Sequence, residues 1–327
     1  MPNRRDPEAG ARAGARTIHD LPEGLDGLPW ELPRVFLGLD GEGATPRGAR
    51  TWILPVPYEA TTSWASGTRD GPRAIIDASR HVELFDHQLD HDPSREGVYT
   101  FPALELTRGD AARAVAELED ACGRVLDAAA GRRVLMIGGE HAVSAPAIRA
   151  HARRSRERLS VLQFDAHLDL RERFDGSALS HACAMKRVIG EVDLVTVGAR
   201  GISAEEWRFA QGSENVHVIT AGEMADAAGE NHDWMDRALE VLHDPVYITF
   251  DVDFFDPSLV PSTGTPEPGG GRWHPTMAFL RRVFGERRVV GIDVVEHAPI
   301  PGFTAPDFLV AKLVYRMIGY WSKGWSS

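Results

Sequence analysis

Short apolar runs, rich in β-branched and aromatic residues, recur along the chain at 51–56, 133–137, 160–164, 193–197, 216–219, 246–250 and 289–294. Between them the apolar positions shift to a period near 3.6 residues. This is clearest over 110–130, where apolar residues stand at 112, 115, 118, 122, 125 and 126. The same reading predicts helices over 71–80, 144–154, 180–189, 203–211, 233–242, 275–284 and 306–320. Strands that are apolar on both faces and alternate with helices form a parallel sheet covered on both sides. The expected fold is therefore a three-layer α/β/α sandwich with a mainly parallel sheet. In such folds ligands bind beyond the carboxyl ends of the strands.

Residues 1–30 are rich in Gly, Ala, Pro and charge and read as a flexible tail. Residues 31–327 read as one catalytic domain, with 32–39 docking on its body. Of the 327 residues, 43% are hydrophobic and 26% charged, which is the composition of a soluble globular protein and excludes a disordered one. No apolar run approaches the roughly 18 residues of a membrane span. A net charge of -12 argues against a sequence-independent nucleic-acid binder. The two cysteines, Cys122 and Cys183, are too few and too far apart for a zinc ribbon or a disulfide framework, and fit a reducing cytoplasm. The first sixteen residues lack the apolar centre of a secretion signal.

Four strand ends carry unusual chemistry. The first, Gly138-Gly-Glu-His141, leaves a strand through two glycines but matches no phosphate-loop pattern. Its histidine alone reads as a turn or core histidine rather than a ligand. The second, Asp165-Ala-His-Leu-Asp169, places Asp165, His167 and Asp169 on one face if the backbone stays extended. Such a group repels itself unless a cation or strong donors hold it, although capping and ion pairing at a strand–helix junction is the alternative. The third, Asp251-Val-Asp253, repeats the pattern, while Asp256 before Pro257 reads as a turn former. The Pro- and Gly-rich stretch 261–270 then forms a shaped loop over the strand ends. The fourth, Asp293-Val-Val-Glu296, brings a carboxylate that is either a site residue or a helix cap. Together His141, Asp165, His167, Asp169, Asp251 and Asp253 offer six donors, four of them anionic. That set suits two Mn²⁺-like ions better than structural zinc, and two close divalent metals acidify water for hydrolysis.

These four motifs, in this order, resemble the ureohydrolase family of arginase, agmatinase and their relatives, over about 50–320. The resemblance implies the three-layer fold, two Mn²⁺ per subunit, a small guanidino substrate and a homo-oligomer, trimeric or hexameric. It implies that one metal is held by His141, Asp165, Asp169 and Asp251, and the other by Asp165, His167, Asp251 and Asp253. Asp165 and Asp251 bridge, and Asp169 also accepts a hydrogen bond from the attacking hydroxide. Glu296 holds the guanidinium, and His181 shuttles the proton to the leaving amine. The family commonly has Asp where Glu140 stands, which puts the role of that position in question.

Within the family, 197–203 lacks arginase-type aspartates, and 57–72 resembles agmatinases. The leading expectation is hydrolysis of agmatine to putrescine and urea. N1-aminopropylagmatine, guanidinobutyrate and guanidinopropionate are the alternatives, with formimino and acylated polyamine substrates behind them. A regulatory protein without turnover would lack His181, Asp253 or Glu296, and all three are present. Arg171 reads as a surface arginine, as a partner of Glu172 or Asp175, or as a reader of a substrate carboxylate. Trp64 and Phe174 read as pocket lining or core.

Overall fold

The computed structural model describes residues 34–226 and 233–324. The tail expected over 1–30 lies outside them. Eight strands form one sheet: β1 Thr51–Val56, β2 Val98–Thr100, β3 Arg133–Gly138, β4 Leu159–Phe164, β5 Val192–Ala199, β6 Val216–Thr220, β7 Val246–Asp251 and β8 Val289–Val295. Their order is β2-β1-β3-β8-β7-β4-β5-β6, and every pairing is parallel. The helices among the described residues are α1 Gly71–Ser79, α2 Ala111–Ala129, α3 Ser144–Ala152, α4 Ala184–Val188, α5 Ala204–Gln211, α6 Ala221–Asp226, α7 Asp233–Val241, α8 Trp273–Glu286 and α9 Ala305–Lys323. The sandwich expected from the alternating pattern is the fold observed. The three-residue β2 and the six-residue α6 were not anticipated, because neither is long enough to show a period.

Strand alternation sorts the core into two layers. Leu135, Ile137, Leu162, Phe164, Ile248 and Phe250 pack with α1, α7, α8 and α9. Met136, Val161 and Tyr247 face the other way and pack with α2, α3, α4 and α5. The segment expected to dock does so: Phe36 and Leu37 are buried, and the Leu37 amide donates to Ser79 Oγ at 2.8 Å.

The topology gathers four strand ends. The chain leaves β3 for β4 and later returns to fill the gap with β7 and β8, so β3, β8, β7 and β4 are neighbours at the sheet centre. Beneath their carboxyl ends lies an aromatic floor. Phe164 stacks on Phe250 at 4.7 Å between ring centroids, and Phe254 meets the two edge-on at 5.2 and 5.5 Å. Burying each ring stabilises the fold by about 1.5–3 kcal/mol. These rings immediately precede Asp165 and Asp251 and follow Asp253 in sequence. Gly138, which ends β3, and Gly139 after it serve close packing rather than phosphate binding. A Cβ on Gly139 would lie 2.0 Å from the Tyr58 carbonyl oxygen, so glycine lets the end of β1 touch that of β3.

On the opposite layer, His151 of α3 packs edge-on to Tyr247 at 4.9 Å and donates from Nδ1 to the Ala147 carbonyl at 2.9 Å. Its Nε2 is enclosed without a partner, although the residue as a whole is half-buried. Burial pushes its pKa down to about 4. The folded protein takes up this proton only near pH 4, whereas the unfolded chain does so near its ordinary value of about 6.5. His151 therefore opposes folding progressively as pH falls from about 6.5 to 4, by at most about 3 kcal/mol. We expect the stability advantage of wild type over His151→Leu, read from urea denaturation, to shrink over that window. A pH-independent difference would show that the ring titrates normally.

Candidate metal centre and catalytic pocket

All six expected donors converge, but not through strand alternation. Strand β4 ends at Phe164, and residues 165–169 form a turn in which Asp169 adopts φ +53°. Asp165 Oδ1 accepts the His167 amide at 2.6 Å, which folds the chain back on itself. Similarly β7 ends at Asp251, and Val252–Phe254 is a single 3-10 turn. There Asp251 Oδ1 accepts the Asp253 amide at 2.8 Å. The same-face argument is thus corrected: short side-chain-to-backbone bonds, characteristic of aspartate at turns, bring these carboxylates together.

His141 Nδ1 lies 2.9 Å from Asp169 Oδ2, 3.1 Å from Asp165 Oδ2 and 3.4 Å from Asp251 Oδ2. His167 Nδ1 lies 2.9 Å from Asp253 Oδ2 and 3.6 Å from Asp165 Oδ1. Donor atoms of His141, Asp165 and Asp251 fall within 4.8 Å of one another, and so do those of Asp165, His167 and Asp253. Asp165 belongs to both groups, whereas Asp251, also expected to bridge, belongs to the first alone. His167 is half-buried, and the other five are buried.

Hydrogen bonds behind the donors aim them. Gln163 Nε2 donates to Asp165 Oδ2 at 2.7 Å and is itself fixed by Thr196 Oγ1, 2.7 Å from Gln163 Oε1. His141 Nε2 lies 2.9 Å from Thr249 Oγ1, which donates to Asp293 Oδ1 at 2.7 Å; Tyr247 OH donates to Asp293 Oδ2 at 2.7 Å. With its hydroxyl hydrogen on Asp293, Thr249 accepts from His141 Nε2–H. Nδ1, which is buried and faces three carboxylates, is left to hold either a proton or a metal ion in its place. That is the arrangement of a metal-ligating imidazole oriented by groups behind it. Sequence reading had left Gln163, Thr196, Tyr247 and Thr249 without a role. Their only signal was polarity inside otherwise apolar strands.

Electrostatics agrees with a cation site. Burial and the neighbouring Asp253 and Asp165 push Asp251 well above the carboxylate range, and burial with the Asp165 charge raises Asp169 to about 7. Burial alone would depress both histidines, but the surrounding aspartates outweigh it: His167 rises to about 12, and His141 is also held well above its ordinary value. The cluster therefore favours positive charge, and its oxygen-rich donor set fits divalent metal ions.

His167, Asp169, Asp251 and Asp253 of the cluster line a cavity of about 190 Å³ together with Ser63, Arg171, Phe174, His181, Glu206, Thr265 and Glu296. Glu296 stands just past β8 with φ +63°, and its Oε1 accepts the His141 amide at 2.6 Å. Burial, with nearby Glu140 and Asp253, raises its pKa well above normal, against the opposing pull of the His141 amide and ring. His181 begins the 3-10 turn before α4, with Thr61 Oγ1 3.3 Å from Nδ1 and Ser63 Oγ 3.4 Å from Nε2. Burial lowers its pKa. Glu140 turns away from the donors: Oε2 accepts the amides of Ala60 and Thr61 at 2.7 Å each, and Oε1 accepts the Thr61 hydroxyl at 2.8 Å. Its extra methylene anchors the loop that meets His181.

Arg171 is not a plain surface arginine. It lines the cavity, stacks over Phe174 at 5.1 Å and pairs with Glu206 at 3.5 Å rather than with Glu172 or Asp175. Glu172 pairs with Arg187 and Lys186 instead. Glu206, buried and unforeseen as a site residue, was visible only as part of the capping box Ser203-x-x-Glu206 at the start of α5. Phe174 lines the pocket, whereas Trp64 is 84% exposed and belongs to neither core nor cavity lining. Cys183 is buried near His181, and burial raises its thiol pKa.

Known proteins resemble this chain along most of its length. The chain is 38% identical over 298 residues to the N(1)-aminopropylagmatine ureohydrolase of Synechocystis sp., covering 89% of this chain and 95% of that protein. It is 32% identical over 273 residues to the agmatinase of Pyrococcus horikoshii, covering 82% and 90%. Among solved structures, proclavaminate amidino hydrolase from Streptomyces clavuligerus superposes with a TM-score of 0.76 at 28% identity, covering 86% and 94%. The model of the arginase family matches residues 49–319, a span that holds every donor in the cluster, and the chain belongs to that family.

Proposed function

We propose that this chain hydrolyses the guanidino C–N bond of an amine-tailed substrate to release urea, using two Mn²⁺ held by His141, Asp165, His167, Asp169, Asp251 and Asp253. The carrying observation is that four of the six donors (His167, Asp169, Asp251 and Asp253) line one cavity of about 190 Å³ together with Glu296 and His181. When bound, two divalent ions supply a water acidified enough to attack at neutral pH. The remaining work falls to the chain. Glu296 accepts charge-assisted hydrogen bonds from the guanidinium and points its carbon toward the cluster. Asp169 accepts a hydrogen bond from the attacking water. His181, backed by Thr61 and Ser63, delivers a proton to the departing amine nitrogen as the C–N bond breaks, and urea leaves with the added oxygen.

The substrate tail lies along Phe174, Arg171 and Glu206. With Arg171 already paired to Glu206, the wall does not present an uncompensated cation to repel an amine. Both agmatine, the leading expectation, and N1-aminopropylagmatine meet this requirement. The higher identity to the Synechocystis enzyme supports the aminopropyl derivative as the preferred one. Arg171 in the lining is also the observation that would favour a guanidino acid.

Urea release by Mn²⁺-loaded protein from N1-aminopropylagmatine, agmatine, arginine, guanidinobutyrate and guanidinopropionate tests this. We expect the highest kcat/KM for the aminopropyl compound, then agmatine; preference for a guanidino acid would reverse the assignment. Asp253→Asn should lower urea release at least about 100-fold with an unchanged far-UV CD spectrum, and wild-type turnover in that variant would remove the cluster from the mechanism. Thr249→Val, which keeps shape but loses the hydroxyl between His141 and Asp293, should weaken Mn²⁺ binding about 10–100-fold by calorimetry. Unaltered affinity would show that the hydrogen bond does not orient His141.

A further inference from the structure

Immediately after Glu296, a second polar chain is buried away from the cavity. His297 has 0% exposure, Ser262 1% and Asp307 8%. His297 Nε2 lies 2.8 Å from Asp307 Oδ1 at the start of α9, and Nδ1 lies 3.3 Å from Ser262 Oγ in the 261–271 loop. The order Ser–His–Asp is that of a nucleophilic triad, but none of the three lines the catalytic cavity, so a substrate has no access to them. Burying such groups is costly, and they are retained where they hold something in place.

What they surround is Glu296. Its φ of +63° is strained for a residue with a Cβ, and such a conformation persists only when its neighbours over-determine it. The Glu296 amide donates to the Gly139 carbonyl at 2.8 Å, and the Ala298 amide donates to the Ser262 carbonyl at 2.8 Å. Between these two bonds the backbone is fixed by the His297 ring, tied on one side to α9 and on the other to the loop. That loop carries Thr265 into the cavity lining. The first turn of α1 closes the arrangement: a Cβ on Gly71 would lie 2.2 Å from the His297 carbonyl oxygen.

We propose that His297, through Asp307 and Ser262, is a positioning residue for guanidinium binding: it holds Glu296 in its strained conformation and fixes the loop that faces it. This rests on the reading of Glu296 as the guanidinium carboxylate. The prediction is a separation of KM from kcat. His297→Leu, with two Mn²⁺ still bound per chain, should raise KM and the Kd for guanidinium chloride about 10-fold, the scale of a strained conformation released. Its kcat should fall by a smaller factor than KM rises. Asp307→Asn keeps an acceptor at the same distance from Nε2–H and should bind guanidinium like wild type. If His297→Leu does not fold, Ser262→Ala should still weaken guanidinium binding about 3-fold, and no change there overturns the proposal. Loss of metal, or a fall in kcat at constant KM, also overturns it. Calorimetry of guanidinium on Glu296→Gln separates the two readings. Wild-type binding by Glu296→Gln would refute the role of Glu296 and that of His297 with it. Weakened binding by Glu296→Gln together with unchanged binding by His297→Leu would refute His297 alone.

Discussion

Mutual repulsion among Asp165, Asp169, Asp251 and Asp253 governs the design of this molecule. Four carboxylates buried side by side cannot all ionise by themselves, and burial together with neighbouring negative charge lifts Asp251 and Asp169 far above the usual range. A fold can tolerate this only if the groups are held too firmly to move apart. Here the restraint comes from below and behind: a stacked phenylalanine floor, amide donors within each turn, and buried hydroxyls and amides on the adjacent strands. The central position of the four strands follows from the same need. Edge strands, paired on one side only, would leave the cluster open to water.

Much of this was legible in the sequence because its two layers of information are strong. The alternation of continuously apolar runs with 3.6-residue patterns specifies a parallel sandwich, and metal-type side chains at four strand ends stand out against apolar surroundings. The details beyond that were written in interactions without a period. Asp165 to Asp169 and Asp251 to Asp253 do converge, but through turns built from aspartate-to-amide bonds, so extended geometry gave the correct grouping for the wrong reason. β2 is too short to carry a pattern. The pairing of Arg171 with Glu206, 35 positions apart in the chain, and of His297 with Asp307 depends on how separate elements pack, which local spacing does not encode.

The turn at Glu140 and His141 shows how compact the division of labour is. Successive residues face opposite ways, one into the donor cluster and the other into the loop that carries Thr61 and Ser63 to His181. Groups assigned to different steps of one reaction are thereby referenced to a single point of the backbone. Glycine at 139 is what allows that point to sit against the end of β1.

The pairing of Arg171 with Glu206 has an evolutionary consequence. Both belong to the cavity wall, and neither belongs to the donor cluster. Exchanging either for a neutral residue alters the charge of the tail-binding wall by one while leaving every donor in place. Under the proposed function, substrate preference and hydrolytic capacity would therefore be encoded at separate positions, and a lineage could drift between amine-tailed and acid-tailed guanidines without passing through an inactive ancestor.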